Sequence, residues 1–453
     1  MANGTLPAYL ASAKPNPMSN RGPWWTNTAP AYFGIFMWIA FYDKLASAFN
    51  LGGLDVALGG LVIAAVLSHY VFHYVFGVLG MKTGYPLYVV GSSTFGTVGG
   101  LLFPGIFMGL LQIGWYSVGT FYAAKLLLLA IGRDADQISA LFIVFCIAWG
   151  YVFALFGAFG IKYVAKISSY LPWVAVAMLC IAGVCALPHV GNFKFAVDPT
   201  GPGVLAGACL VIQMVIGFFA TAGAAGVDFG TNSRDENDVN LAGLTGISLS
   251  ILLAGGLALI IVAGAKGIDP TVGPQVSKAL PLVSPGLAKI MFLLLAIGSM
   301  APACFCASII GNSLSTMIPT MGRVPLTLGG ATIGIILAAT GIAGNLEAFF
   351  GLIGASFGPI CGAIVADYFL SGKKWAGPRQ GVSLAGYAAW VLGFLVGISS
   401  NDMVTKLLGR ELVPGWHPTA VYSFIVGFVV YAILAKAGLQ GRTVAYPGAD
   451  ASK

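Results

Sequence analysis

An acidic and a basic residue, Asp43 and Lys44, stand side by side in an apolar stretch that runs from Ala31 to Phe49. A carboxylate there could accept from ligand N–H groups or serve as counter-ion to a cation. The ammonium could stand in for a coupling ion or titrate as a desolvated lysine. A charge inside a membrane helix costs about 3 kcal/mol or more, so a functional role is the first expectation. Successive residues on a helix point about 100° apart, so the two neutralise each other well only if the helix is broken there.

A second constellation lies at Gln112 and Trp115, three residues apart and therefore on one helix face. The amide offers an acceptor and two donors, and the indole offers a flat stacking face. Together they suit a planar ligand that hydrogen-bonds along its edge, although the spacing alone also fits ordinary helix packing. A third stretch, Gln213 to Gly230, holds Gly217, Gly223 and Gly226 among small residues and ends near Asp228. It is expected to unwind. His69 and His73, four apart, lack a third ligand and read as a bonded or packed pair. The strip Gly354, Gly358 and Gly362 allows close helix contact and leads to Asp367-Tyr368.

The elements that must position these groups are membrane helices. Only 8% of 453 residues are charged, 58% are hydrophobic, and the mean hydropathy is +0.90. The 37 charges cannot coat a soluble protein of this size. Continuous apolar runs exclude a β-barrel, and the thin spread of the +7 net charge gives no nucleic-acid stripe. The seven cysteines lie inside apolar runs and read as packing residues. The polar first 28 residues show no signal peptide.

Twelve apolar runs are expected to form helices near 29–50, 54–79, 97–131, 139–159, 163–187, 203–228, 240–265, 286–318, 325–342, 344–370, 382–399 and 416–437. With the N-terminus inside, 13 Lys and Arg fall in inner segments, six in outer ones and three within runs. That bias predicts both termini on the cytoplasmic side of the inner (plasma) membrane. The first and sixth runs are both interrupted, and each opens a set of five. The expected organisation is a cytoplasmic tail (1–28), a first inverted repeat (29–187), a second (203–370), two further helices (382–437) and a cytoplasmic tail (438–453). Matched broken helices in inverted halves point to a secondary transporter with a midplane site.

Three motifs then carry a family resemblance: Gln112-x-Gly114-Trp115 through Gly119; Gly217-Phe-Phe219-x-Thr221-x-Gly223 followed by Asp228-Phe229; and Pro359-x-x-Gly362-x4-Asp367-Tyr368. With Lys82-Thr83-Gly84, they resemble the nucleobase:cation symporter-1 family, nearest its cytosine permease branch. The resemblance implies an all-α LeuT-like fold, a five-plus-five inverted repeat with two extra helices. It implies uptake of a nucleobase or related nitrogen heterocycle, usually with sodium. It assigns ring stacking to Trp115 and Phe219 and polar contacts to Gln112 and Thr221. Gly217, Gly223, Asp228, Pro359, Gly362 and Asp367 become structural or gating positions. A sodium site would draw on first-run carbonyls, here near Ile39, and on eighth-run oxygens, here Ser299 and Ser308. The matching eighth-run stretch, Gly298 to Ser308, has no amide, unlike the cytosine branch.

The leading expectation is therefore a cation-coupled symporter, monomeric in the bilayer, with Asp43 touching the ligand and Na+ or H+ as the coupling ion. No other cofactor and no nucleic-acid partner is implied. The alternative is a carrier of a cationic amine or guanidinium compound, with Asp43 as counter-ion and proton coupling through Lys44. A channel or receptor lacks a filter motif or signalling domain here, and no enzymatic constellation is visible.

Overall fold

The computed structural model describes residues 6–446 except 160, 197–200, 202, 319 and 411–416. The ends of both expected tails lie outside these. The described residues form helices, with one isolated bridge between Arg379 and Thr443. Nine helical stretches among them are long and apolar enough to cross a membrane, and two shorter apolar helices occupy the ninth and eleventh runs. The first run is split.

The split falls at Met37-Trp38, between helices Thr28–Phe36 and Ile39–Tyr42; Trp38 is extended at φ −80°, ψ 128°. This corrects the expected break at Asp43-Lys44. Asp43 instead terminates the second piece, and Lys44 leads into a short 3-10 turn, Leu45–Ala48. The charges mark the end of the run, where the chain turns back, and not the interruption within it.

The sixth run holds one helix, Leu205–Ala224, then a short one, Gly226–Gly230. The break is again displaced, to Ala225. Gly217 and Gly223 stay helical because they are contact points. A Cβ on Gly217 would sit 2.6 Å from the Phe350 carbonyl oxygen, and one on Gly223 2.6 Å from that of Phe72. In lipid, helices associate by van der Waals packing, which small residues favour. The third run is likewise less regular than expected: helix Ser92–Gly100 bends at Gly96 (φ 86°) and continues as a π-helix, Leu101–Phe107, before Met108–Ala130.

Helix Phe49–Tyr70 packs along Leu205–Ala224, and Met108–Ala130 packs against Met300–Met317 and Arg323–Ala339. Helix Leu346–Leu370 is held by Thr419–Lys436 and Leu384–Gly397. It is the most enclosed of the candidate spans, 89% buried against 33% for Ala140–Phe159, so the tenth run is central and the fourth faces lipid. Its glycine strip does what its spacing suggests: a Cβ on Gly354 would lie 2.6 Å from Ala420 Cβ, and one on Gly358 2.9 Å from the Ala420 carbonyl. Gly362 meets the Phe424 backbone, and Pro359 packs on Gly393 and Gly427.

Candidate functional site

Four helices converge on a small cavity at the first-run break. It is lined by Ile35 and Trp38, Gln112 and Trp115, Phe218, Thr221 and Ala222, and Pro302, Phe305 and Cys306. The third, sixth and eighth runs each contribute residues three or four apart, the spacing of one helical face, and the first run contributes Ile35 and, from its break, Trp38. Gln112, Trp115 and Thr221 thus share one site. Trp115 Nε1 donates to Thr221 Oγ1 at 3.1 Å.

Two polar atoms in the lining are buried without a partner among the described residues: Gln112 Oε1 and Trp38 Nε1. Both side chains are 2% exposed. The amide nitrogen of Gln112 has only the Met108 sulfur, at 3.7 Å. An unpaired buried polar group costs about 1–3 kcal/mol. Two residues of the lining therefore carry unsatisfied polar atoms, one acceptor and one donor.

Its walls are aromatic. Trp115 lies 5.6 Å from Trp38, 4.8 Å from Phe218, 5.0 Å from Phe349 and 5.4 Å from Phe350, centroid to centroid. Phe41 closes on Phe218 at 5.0 Å. Phe349 and Phe350 begin helix Leu346–Leu370, whose other end reaches the face bearing the chain termini. This cluster therefore seals the cavity on the opposite face.

Phe219 is not on the wall. It stacks on Phe36 at 5.4 Å and approaches Tyr32 at 5.9 Å. Phe218 takes the inward position, since it precedes Thr221 by three residues and Ala222 by four. Asp43 is not on the wall either: its Oδ1 accepts from the Ser277 N–H at 3.1 Å, and its carbonyl accepts from Val276. The residue holds the start of helix Val276–Val283. Trp38, Phe218 and Phe305 were missed by sequence reasoning. For Phe218 the clue was its phase relative to Thr221.

Toward the terminal face lies a cavity of about 580 Å³, lined by Pro86–Tyr88, Pro104, Met108, Asp228, Phe229 and Asn312 among others. Phe305 borders both cavities. Asp228 Oδ1 accepts from the Leu87 N–H at 3.4 Å, tying the inner piece of the sixth run to the loop below the third.

Each candidate sodium ligand has a hydrogen-bond partner among the described residues. Ser299 Oγ donates to the Leu295 carbonyl at 3.0 Å. Ser308 Oγ accepts from Arg323 Nη2 at 2.8 Å. The Ile39 carbonyl accepts from the Asp43 N–H. The eighth-run residues facing the break, Pro302, Phe305 and Cys306, bring no side-chain oxygen. Asp367 is buried in an ion pair with Arg379, 2.7 Å apart, and accepts from Ser93 Oγ at 2.7 Å. Lys125 and Lys278 both reach Asp136, at 3.6 and 2.6 Å.

Comparison with known proteins agrees with this architecture. The chain is 23% identical to the cytosine permease of Escherichia coli K12 over 348 residues, 76% of each protein. It is 23% identical to a putative allantoin permease of the same strain over 451 residues, covering 90% of this chain and 91% of that one. Among solved structures it resembles Mhp1, a nucleobase-cation-symport-1 family transporter, in a closed conformation with bromovinylhydantoin bound (TM-score 0.74, 14% identity, 97% of each chain). It also resembles a Na+-coupled sialic acid symporter (TM-score 0.62, 14% identity, 94% and 92% covered). These likenesses establish a LeuT-like fold, and the relatives are permeases, not enzymes. A family model described as permease for cytosine/purines, uracil, thiamine, allantoin matches residues 15–427. The chain belongs to that family, the nucleobase:cation symporter-1 transporters.

Proposed function

We propose that this protein imports a neutral nitrogen heterocycle, a nucleobase or a hydantoin-like ring, by cation-coupled symport with alternating access. The observation that carries the reading is the pair of unpartnered buried atoms, Gln112 Oε1 and Trp38 Nε1, inside an aromatic cage. A lactam or amidine edge presents a donor next to an acceptor and complements both. The ring itself replaces water with π faces from Trp115, Phe218 and Trp38.

The cavity holds about 20 Å³, enough for one water and not for a heterocycle. Binding must therefore move side chains apart. The Trp115–Thr221 hydrogen bond is the contact a ligand edge would replace. A site built to hydrogen-bond the ligand edge rejects analogues that leave its polar atoms unpaired.

The cationic-substrate alternative draws no support from the geometry. Among the described residues no carboxylate lines the small cavity, and Asp43 is occupied with Ser277. The eighth-run residues that face the first-run break, Pro302, Phe305 and Cys306, bring no side-chain oxygen, which supports a proton over sodium as the coupling ion. The excess of Lys and Arg on the terminal face supports termini in the cytoplasm; a plasma-membrane location and uptake belong to the same reading. The monomer is the working unit in this reading.

The test is uptake of radiolabelled cytosine, uracil and allantoin into proteoliposomes under imposed proton or sodium gradients. Saturable accumulation that falls at least tenfold in Gln112→Ala is the expected result. No accumulation of any of the three under either gradient would refute the proposal.

A further inference from the structure

The second run carries two imidazoles that the ligand cavity does not use. His69 and His73 sit one turn apart where helix Phe49–Tyr70 gives way to Tyr74–Thr83. They are 0% and 1% exposed. His69 Nε2 lies 3.1 Å from Asn240 Oδ1. Its Nδ1, and both ring nitrogens of His73, have no partner among the described residues. Buried polar atoms are ordinarily paired, so three orphan imidazole nitrogens in one place need a reason.

The surroundings are shaped around the pair. The ring centroids are 5.6 Å apart. Gly243, on the seventh run, faces them with no side chain. A Cβ there would overlap His69 Nδ1 and lie 3.0 Å from His73 Nδ1, so both nitrogens face Gly243. The next residues of that run, Leu244–Ser248, are wound as a π-helix, a form concentrated at functional sites. Thus both backbones facing the pair are irregular at its level.

The groups around it are few. Tyr32 of the first run meets His73 edge-on at 5.0 Å. Tyr70 and Tyr74 lie 4.4 and 6.1 Å from His69. The sixth run presents Gly226 to His73. Its nearby carboxylate, Asp228, is turned to the Leu87 N–H. Glu236, one turn before Asn240, pairs with Lys82 at 2.9 Å.

We propose that the His69–His73 pair is the proton site of the transport cycle, the two rings sharing one proton. With His69 Nε2–H donating to Asn240, its Nδ1 carries a lone pair. A proton taken from water in the open state forms an N–H bond there, and the rings, 5.6 Å apart between centroids, draw together for that N–H to donate to His73. The pair then carries a single positive charge, and release reverses the step. Tyr32 links the pair to the ligand cavity: it packs on His73, and its hydroxyl donates to the Ala222 carbonyl at 3.0 Å. Ala222 lines that cavity. This inference rests on the symport reading above.

The test uses the full chain in phosphatidylethanolamine and phosphatidylglycerol vesicles loaded with a pH-sensitive dye. Cytosine, uracil or allantoin is added outside without an ion gradient. In the wild type, entry of a transported base should acidify the lumen. His69→Gln and His73→Gln should each slow acidification at least tenfold, with unfolding midpoints close to wild type. His189→Gln, distant from the pair, should acidify normally. Base entry without acidification, or wild-type acidification in both glutamine variants, would overturn the proposal. In parallel, nitrogen NMR of histidine-labelled protein should show the pair taking up one proton as the pH is lowered, a step lost in either variant. If no base moves at all, the heterocycle reading fails by itself, and this titration decides the proton site alone: rings that stay neutral throughout would overturn it.

Discussion

Replacing Arg379 by methionine tests whether the cluster around Asp367 holds the terminal face together. Both charged side chains are nearly dry, 5% and 4% exposed. Asp367 Oδ1 accepts from Arg379 Nη1 at 2.7 Å and from the Tyr431 hydroxyl at 2.9 Å. Its Oδ2 accepts from Ser93 at 2.7 Å and Thr94 at 3.3 Å. Arg379 also donates to the Ser93 carbonyl and to Tyr431. Four segments therefore meet at one ion pair. Arg379→Met keeps the aliphatic stem and leaves a buried carboxylate with three neutral donors. Breaking a buried pair costs about 3–5 kcal/mol, and the remaining donors place this case near 3. Asp367→Asn strands the guanidinium with two oxygens, again at about 3 kcal/mol. The double variant leaves neither charge and should also cost about 3 kcal/mol, a coupling of about 3. The assay is SDS titration of the four proteins in dodecylmaltoside, followed by circular dichroism. Single-variant costs that add within about 0.5 kcal/mol would refute the idea of one coupled buried network.

Other outcomes follow from named contacts. Gly80→Ala places a methyl on the Val227 carbonyl, so the second run can no longer sit against the inner piece of the sixth. Overpacking of this kind costs about 1–3 kcal/mol, and a lowered yield of monodisperse protein by size-exclusion chromatography is expected. Phe305→Ala removes the wall shared by the two cavities, so exchange of bound base should accelerate severalfold in counterflow, with weaker affinity by thermal shift. On the opposite face, the hydrogen bond from Lys278 holds the Asp136 carboxyl below its ordinary value. Its small, solvent-screened contribution to stability is present above the unfolded carboxylate value and lost as pH falls through the lowered one. Lys278→Met should raise the Asp136 titration, read by carbon NMR, and leave the thermal midpoint at neutral pH unchanged.

Helices were largely legible in the sequence because lipid demands long apolar runs with internally bonded backbones. The shared face of Gln112 and Trp115 was legible from periodicity alone. The exact breaks were not. Met37-Trp38 contains neither glycine nor proline, and its extended backbone goes with tertiary packing: Trp38 lies against Gly119, where any Cβ would overlap the indole. Glycines, conversely, suggested unwinding at Gly217 and Gly223 and turned out to permit contact within a continuous helix. Phe218 and Phe219 are adjacent aromatics, and only the helix phase set by Thr221 separates them. The charged pair misled because charge in an apolar run also marks its end. Asp43 serves a backbone N–H there.

The aromatic wall has a kinetic side. On the terminal face, Phe305, partly buried and stacked on Phe229, borders both the ligand cavity and a chamber of about 580 Å³. Opening there asks for the rotation of side chains, a more local motion than the movement of whole helices. On the other face, Trp38, Phe41, Phe218 and Phe350 sit on three separate runs and interlock with Trp115. They can part only if whole helices move, which takes microseconds to milliseconds. The two exits thus call for different kinds of motion. A point substitution suffices to loosen the side facing the chain termini, while the opposite side yields only to changes in how whole helices pack.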